Sequence, residues 1–424
     1  MQDWLRRQAR SLVRSRPWTT VSQWIRGGAR GPAAGHEIHG VPVPGQVVAY
    51  FGDNADKIYQ LTQWLPILEQ LNQHHPTLLV FRKLNALRAV KGMTKLPMAF
   101  VRRFDDLATL YYENDYRLVL YVNNGVTNFQ SLSYAPAVHV HINHGESDKL
   151  SMVSNQAKAY DKTFIAGPAA LERHRAALLD FDESKLVPVG RPQLDIDREP
   201  ALPPSRGRTL MYAPTWEGEN DTNNYTSIDK YGVAIIKALL EIPDSRIVYK
   251  PHPRVEETDD EAMAAADAQI RELIQKSNAD RAHDRHLIMM SGDILAMFSQ
   301  VDLLVTDISS VGLDFLYLRP EKPLILTDRR NDRRALNLES PISRSTPIID
   351  GSSVSRTAAL VEEALASDRH AEERAHQRAF YFGEREIGSS TADFLSAVDR
   401  LIEERAENLS AFVRHQGTNM EAAD

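Results

Sequence analysis

Short apolar runs of strand length recur along this chain, and helical periodicity fills much of the space between them. The first series comprises Val47–Phe51, Thr77–Phe81, Arg117–Val122, Val138–Ile142, Thr163–Ala166 and Lys185–Val189. The first of these runs is followed by an amphipathic helix predicted over Lys57–Gln73, with Leu61, Trp64, Leu65, Leu68 and Leu71 on one face. A second series begins after Pro203-Pro204-Ser205, with runs at Thr209–Tyr212, Arg246–Tyr249, Leu287–Met290, Leu303–Val305 and Pro323–Thr327. Helical spacing separates them over Val233–Leu240, Asp259–Gln275 and Asp293–Phe298, and a charged helical region runs from Ser355 to about Ala411. Runs that are apolar on both faces suit parallel strands covered by helices on either side. Two such series predict two α/β units of similar size, Rossmann-like, facing each other across a cleft. The expected division is residues 46–203 for the first unit and 204–385 for the second, with a helical segment over 386–424.

Residues 301–318 are the stretch around which a site is expected. Leu303, Leu304 and Val305 read as a buried strand, Thr306-Asp307-Ile308 as the turn, and Ser309-Ser310 as the helix cap. Val311, Asp314, Phe315 and Leu318 then recur at helical spacing. A strand that opens into a helix through small hydroxyl residues presents unpaired backbone N–H groups and the positive end of the helix dipole, a combination that favours phosphate. The same pattern serves as an ordinary junction in any α/β protein, so the remaining loops decide what it means.

Composition removes several alternatives. The chain has 424 residues, 25% of them charged, a formal net charge of -7 and no cysteine. The acidic balance gives no reason to expect nucleic acid as a partner. The absence of cysteine excludes disulfides and Cys-ligated metal sites, and fits an intracellular setting. No apolar run approaches the roughly 20 residues that span a bilayer, and no secretory signal is expected at the N-terminus. Residues 1–30 differ in kind: seven arginines alternate with apolar residues that include Trp4, Trp18 and Trp24, and Asp3 is the only acid. Basic residues interleaved with tryptophan suit the headgroup layer of an anionic membrane, while a basic tail or a helix packed on the protein is the plainer alternative. Glycines and Pro32, Pro42 and Pro44 then read as a linker, so that residues 1–45 form a basic amphipathic segment and its tether.

Four loops follow predicted strands and could share the cleft. The first is His144-Gly145-Glu146-Ser147-Asp148-Lys149, where a histidine suited to proton transfer stands beside a glycine that lets backbone approach a ligand. The others are Pro214-Thr215, Lys250-Pro251-His252-Pro253-Arg254, and the helix start at Ser309-Ser310. Two histidines, several cations and an anion-binding helix end fit phosphoryl chemistry, where positioning and charge stabilisation do most of the catalytic work. His139, His141 and His144 alternate along one strand and could instead be packed side chains. No carboxylate completes a metal-ligand set with them, and Asp195-Ile196-Asp197 is a weak metal signature, so no metal is expected.

Taken together, these loops resemble the CDP-glycerol glycerophosphotransferases, the teichoic-acid primases and polymerases. His144, Gly145 and Lys149 match the family's His-Gly-Thr-Pro-Leu-Lys loop, with Glu146, Ser147 and Asp148 departing from it. Tyr212-Ala213-Pro214-Thr215, Lys250-Pro251-His252-Pro253 and Thr306-Asp307-Ile308-Ser309-Ser310 with Asp314 match the other segments. The family's Gly-x-Pro-Arg reads Gly190-Arg191-Pro192-Gln193 here, leaving Arg191 to supply the charge. The likeness covers roughly residues 135–330.

The resemblance implies a GT-B fold and transfer of an alditol phosphate, most simply glycerol phosphate, from a CDP-alditol to a hydroxyl of a lipid-linked glycan or polyol-phosphate acceptor. CMP would be the product, and neither cofactor nor metal would be needed. It makes His144 the general base and His252 the group at the departing oxygen. Gly145, Lys149, Arg191, Pro214, Thr215, Lys250, Arg254, Thr306, Asp307, Ser309, Ser310 and Asp314 would bind substrate. It also implies a cytoplasmic enzyme, peripheral on the inner face of the membrane and held there by residues 1–30. A GT-B glycosyltransferase or epimerase acting on a nucleotide-sugar is the alternative, as is a non-catalytic nucleotide-binding protein.

Overall fold

The computed structural model describes residues 43–421 except 149–151, 219–222 and 282, and the side chains only as far as residue 410. The N-terminal basic segment and Lys149 therefore lie outside the described residues.

In the first half, β1 (Val47–Phe51), β2 (Thr77–Phe81), β3 (Met98–Phe100), β4 (Leu118–Tyr121), β5 (Val138–His141), β6 (Lys162–Ile165) and β7 (Leu186–Pro188) form one sheet. Their order is β3-β2-β1-β4-β5-β6-β7 and every pairing is parallel, with Val48 opposite Leu78 on one side and Val119 on the other. The second sheet contains β8 (Arg208–Ala213), β9 (Ser245–Tyr249), β10 (Leu287–Ile288), β11 (Leu303–Thr306), β12 (Leu324–Thr327) and β13 (Ile348–Ile349), in the order β10-β9-β8-β11-β12-β13, again parallel throughout. The two-faced apolar runs read in the sequence are the buried central strands: all five residues of β1, β2 and β9 are buried.

The order of each sheet reverses once, between β1 and β4 and between β8 and β11. Neighbouring strands there lead their connections to opposite faces and leave a crevice at their carboxyl ends, where open α/β sheets bind ligands. The loops at Thr215 and at Ser309-Ser310 leave β8 and β11, so both stand at the reversal of the second sheet.

Several helices differ from expectation. The single helix predicted over Lys57–Gln73 is two pieces, Tyr59–Thr62 and α1 (Leu65–His74), with Pro66 in the first turn of α1. Proline lacks the N–H that a continuous helix would need and is tolerated only at a helix start. The charged region after Ser355 divides into Thr357–Ala366, α6 (Ala371–Phe382) and α7 (Ser390–Glu421), and Gly383 closes α6 at φ 79°. The remaining helices used below are α2 (Pro168–Ala177), α3 (Val233–Leu240), α4 (Glu261–Ser277) and α5 (Ser310–Leu318).

α7 follows the second sheet in sequence but is built into the first domain. Phe394, Ala397, Val398, Leu401 and Ile402 recur at helical spacing and join the core of Phe51, Trp64, Leu68 and Phe164. The Phe394 ring lies 5.3 Å from Trp64 and 5.8 Å from Phe164, centroid to centroid. On the second domain, α3 and α4 cover one face of the sheet through Ile235, Ile236, Leu239, Ile270 and Ile274, while Leu313, Leu316 and Tyr317 of α5 pack on the other.

Candidate active site

β5 ends at His141, and Asn143 turns the chain through a left-handed conformation at φ 53°. The Trp64 indole donates to Asn143 O at 2.5 Å, and Asn143 Oδ1 accepts the His144 N–H at 2.8 Å, so the turn is clamped from both sides. His144 Nδ1 lies 3.3 Å from Val122 O. A carbonyl only accepts, so Nδ1 carries the proton and Nε2 keeps its lone pair. Burial lowers the His144 pKa to about 4; the charges of Arg191 and Lys57 push the same way, against the bond to Val122. His144 is therefore neutral near pH 7, with its proton-accepting nitrogen on the far side of the ring from the strand.

Gly145 faces the serine helix. A methyl group placed on it would stand 3.7 Å from Ser310 Cβ, so the first loop and the start of α5 are in contact across the two domains. Ser309 caps α5, its Oγ accepting the Val311 N–H at 3.3 Å, and Ser309 and Ser310 are both partly exposed. The unpaired N–H groups of the first turn thus open toward the loop that carries His144.

The second and third loops join the same place. The His252 N–H donates to Pro214 O at 3.0 Å, and the Thr215 N–H donates to Asp307 Oδ2 at 2.7 Å. His252 Nδ1 accepts the Arg254 N–H at 3.2 Å, so in the neutral ring the proton sits on Nε2. The two imidazoles therefore present opposite hydrogen-bonding faces, His144 an acceptor and His252 a donor. The Trp216 ring lies 6.1 Å from His252, and the Arg254 guanidinium covers the same indole at 4.4 Å. Lys250 is buried, and burial lowers its pKa against the pull of Asp293 and Glu256.

Other residues expected to touch substrate are engaged in the frame. Thr306 and Asp307 are fully buried. Thr306 Oγ1 donates to Ala213 O at 2.6 Å, stitching β11 to β8. Asp307 accepts from the Thr215 and Ser227 N–H groups and from Thr327 Oγ1 at 2.6 Å, and burial raises its pKa to about 6. Pro214 and Thr215 are themselves buried and contribute mainly backbone. Arg191 and Asp314 meet each other, Nη1 to Oδ1 at 2.9 Å, in a buried ion pair between the two domains. Gln193, at the position where the resembled family has arginine, accepts from Arg191 Nε at 3.4 Å and is buried.

The altered first loop also has a local explanation. Glu146 and Asp148 both pair with Arg173 on α2, and Tyr381 of α6 donates to Asp148 at 2.5 Å. Burial raises the Asp148 pKa to about 7 against that hydrogen bond. His139 is a packed histidine, bonded to the Tyr121 hydroxyl and Tyr134 O. Asp195 accepts the Thr391 N–H at the start of α7. Among the described residues no group of three or more His, Asp or Glu is placed to hold a metal ion.

Sequence reading missed a recess at the end of β12. Tyr225, Ile308, Asp328, Arg329 and Arg330 line about 370 Å³ there, with the Arg330 guanidinium 4.5 Å over the Tyr225 ring. Its residues come from three separate loops, and of those named only Ile308 lies within a motif.

The model of the CDP-glycerol:poly(glycerophosphate) glycerophosphotransferase family matches residues 131–331, a span that holds all four loops. Residues 131–331 are therefore similar to the glycerophosphotransferases of this family. A variant of the wall teichoic acid polymerase TagF soaked with CDPG aligns with a TM-score of 0.53 at 15% identity, over 85% of this chain and 90% of that one. A Listeria monocytogenes structure assigned as a candidate UDP-N-acetylglucosamine 2-epimerase aligns at 0.58 and 16%, over 84% and 96%. The UDP-GlcNAc 2-epimerase of Neisseria meningitidis aligns at 0.54 and 12%, over 84% and 99%. At these identities the likeness is one of fold, a two-domain GT-B frame that contains the matched residues. No curated protein sequence matches the chain.

Proposed function

We propose that the protein transfers glycerol phosphate from CDP-glycerol to a hydroxyl of a membrane-linked glycan or polyol-phosphate acceptor. The observation that carries this reading is the opposed protonation of two imidazoles on loops that converge at the serine helix. The acceptor oxygen attacks the phosphorus that bears glycerol. A new P–O bond forms as the bond to the bridging oxygen breaks, and that electron pair leaves on CMP. His144 Nε2 takes the acceptor proton. His252 Nε2–H donates to the bridging oxygen as charge builds there. The first turn of α5, Lys250 and Arg254 hold the diphosphate, and the recess at Tyr225 and Arg330 takes the nucleoside. Thr215 and Gly145 bound the space around them. Arg191 and Asp314 act by keeping the domains apposed.

Replacing either imidazole removes a group worth about 10²–10⁴ in rate for acid–base catalysis. His144→Ala and His252→Ala are expected to abolish CMP release from CDP-glycerol while the fold survives, because neither ring is part of a core. Near-wild-type CMP release from either variant refutes its role. A nucleotide-sugar transferase or epimerase would show a thermal shift with UDP-sugars and none with CDP-glycerol.

Residues 1–30 supply the second part of the proposal, attachment to an anionic membrane at its cytoplasmic face. No helix among the described residues is long and apolar enough to cross a membrane. Deleting residues 1–30 is expected to abolish co-sedimentation with phosphatidylglycerol vesicles and to spare CMP release on a soluble acceptor.

A further inference from the structure

The loop that begins at His144 is anchored at its far end by the second domain. Glu146, Ser147 and Asp148 are all buried. Arg173 of α2 reaches both carboxylates, its Nη1 3.2 Å from Asp148 Oδ1. One guanidinium does not balance two buried carboxylates, so a further donor is needed. Tyr381 of α6 is that donor, its hydroxyl 2.5 Å from Asp148 Oδ2. The same hydroxyl accepts the Ile342 N–H at 3.2 Å. Ile342 lies in the turn Pro341–Ser345 and packs in the second-domain core with Phe315, Leu316 and Tyr317. A hydroxyl that accepts on one side and donates on the other strengthens both bonds. Tyr381 is thus the joint between a backbone N–H of one domain and a carboxylate of the other.

The joint has no slack. Tyr381 is fully buried, and the ring of the next residue, Phe382, lies 4.9 Å from Tyr317. A methyl group placed on Gly167, just before α2, would stand 2.7 Å from Tyr381 O, so the end of α6 presses directly on the first domain. His144 is clamped on its near side through Trp64 and Asn143. On its far side stands Gly145, whose backbone is free to swing unless the residues beyond it are tied. Tying Asp148 fixes that end too. Separating the domains breaks one of the two bonds of the Tyr381 hydroxyl and releases it. Glu146 and Asp148 stand where the resembled family has threonine and leucine, which carry no charge for Arg173 to balance.

We infer that Tyr381, Asp148 and Arg173 form a latch across the domain interface that positions the His144 loop, so that the base is set for proton transfer only while the domains are apposed. The inference rests on the role proposed above for His144. It adds three positioning residues that act through the loop.

Tyr381→Phe removes the hydroxyl and keeps the ring. Its kcat for CMP release is expected to fall about tenfold to a hundredfold, the range a small misplacement of a catalytic group produces, while the thermal shift with CDP-glycerol is unchanged. Asp148→Asn, which keeps an acceptor for Tyr381, is expected to show a smaller fall. The position of the base is read directly by NMR of protein labelled with ¹³C-histidine, the His144 ring signal being assigned with His144→Gln. That signal is expected to shift or broaden in Tyr381→Phe, and the signal of His286, which is bonded to Ile247 in the second domain, to stay in place. An unchanged His144 signal overturns the inference, as does full turnover in Tyr381→Phe when His144→Ala has none. Loss of the CDP-glycerol shift together with movement of the His286 signal would show a general disturbance and also overturn it. A His144 signal that responds to Tyr381→Phe while His144→Ala still releases CMP keeps the latch and removes the assignment of the base.

Discussion

His144 is neutral because of where it stands, and that fixes a pH dependence. An unfolded histidine titrates near 6.5, whereas burial places the folded one at about 4. A folded pKa below the unfolded value means that stability is fully present above about 6.5 and is lost as pH falls toward 4. Asp148, raised to about 7, works the other way: its contribution is lost as pH rises through 7. Comparing wild type with His144→Gln isolates the histidine, and the variant is expected to lose less stability between pH 7 and 4.5 in urea titrations. The acid limb of kcat/KM for CMP release is expected below pH 5. A limb centred near 6.5 would assign it to a group other than His144. Asp307 is held within the frame. It gathers the donors of Thr215, Ser227 and Thr327 into one buried point. Asp307→Ala orphans all three, at about 1–3 kcal/mol for each donor left without an acceptor. A fall in urea midpoint, with CMP release lost alongside, is the expected result. Its sequence motif marks Asp307 as a site residue, and the fold gives it a structural task of its own.

At the scale of elements, the strands were legible because their chemistry is local. Val47–Phe51 and Thr77–Phe81 are strands over the same residues in sequence and structure, since a run apolar on both faces has few alternatives. Val233–Leu240 is likewise one helix in both. β3 and β13, three and two residues long, were not read in the sequence, although β7 and β10 of the same lengths were. The convergence of four loops could be expected from their places after strands. The pairing of Arg191 with Asp314 could not, because 123 positions of chain separate the partners and only the docking of the domains brings them together. The cap at Ser309 was readable and supports a prediction. Ser309→Ala removes the acceptor of the Val311 N–H and is expected to cost about 1 kcal/mol of stability. It also disorders the first turn that is proposed to hold the diphosphate, so the thermal shift with CDP-glycerol is expected to shrink. A shift of full size would place the phosphates elsewhere.

Across the whole molecule, the two sheets are tied by a few buried contacts of different kinds. α7 returns from the second domain to complete the core of the first. Phe394 is fully buried there against Trp64, whose indole also clamps the turn before His144. Phe394→Ala is expected to cost about 3–5 kcal/mol and to loosen that turn, lowering activity more than the loss of folded protein explains. The ion pair of Arg191 and Asp314 is a different sort of tie. Burial raises the Asp314 pKa even with the guanidinium beside it, so desolvation outweighs the attraction of the pair. Removing one partner leaves an uncompensated charge between the domains, at about 3–5 kcal/mol. Replacing both with apolar residues of similar size removes the desolvation cost as well and is often neutral. Asp314→Leu alone is therefore expected to lower the urea midpoint sharply, and Arg191→Met/Asp314→Leu to recover most of the loss. If the pair serves only to appose the domains, the double variant also recovers CMP release. Recovered stability without recovered turnover would mean that Arg191 reaches the phosphates during the reaction, and the pair would then be the resting position of a substrate-binding arginine.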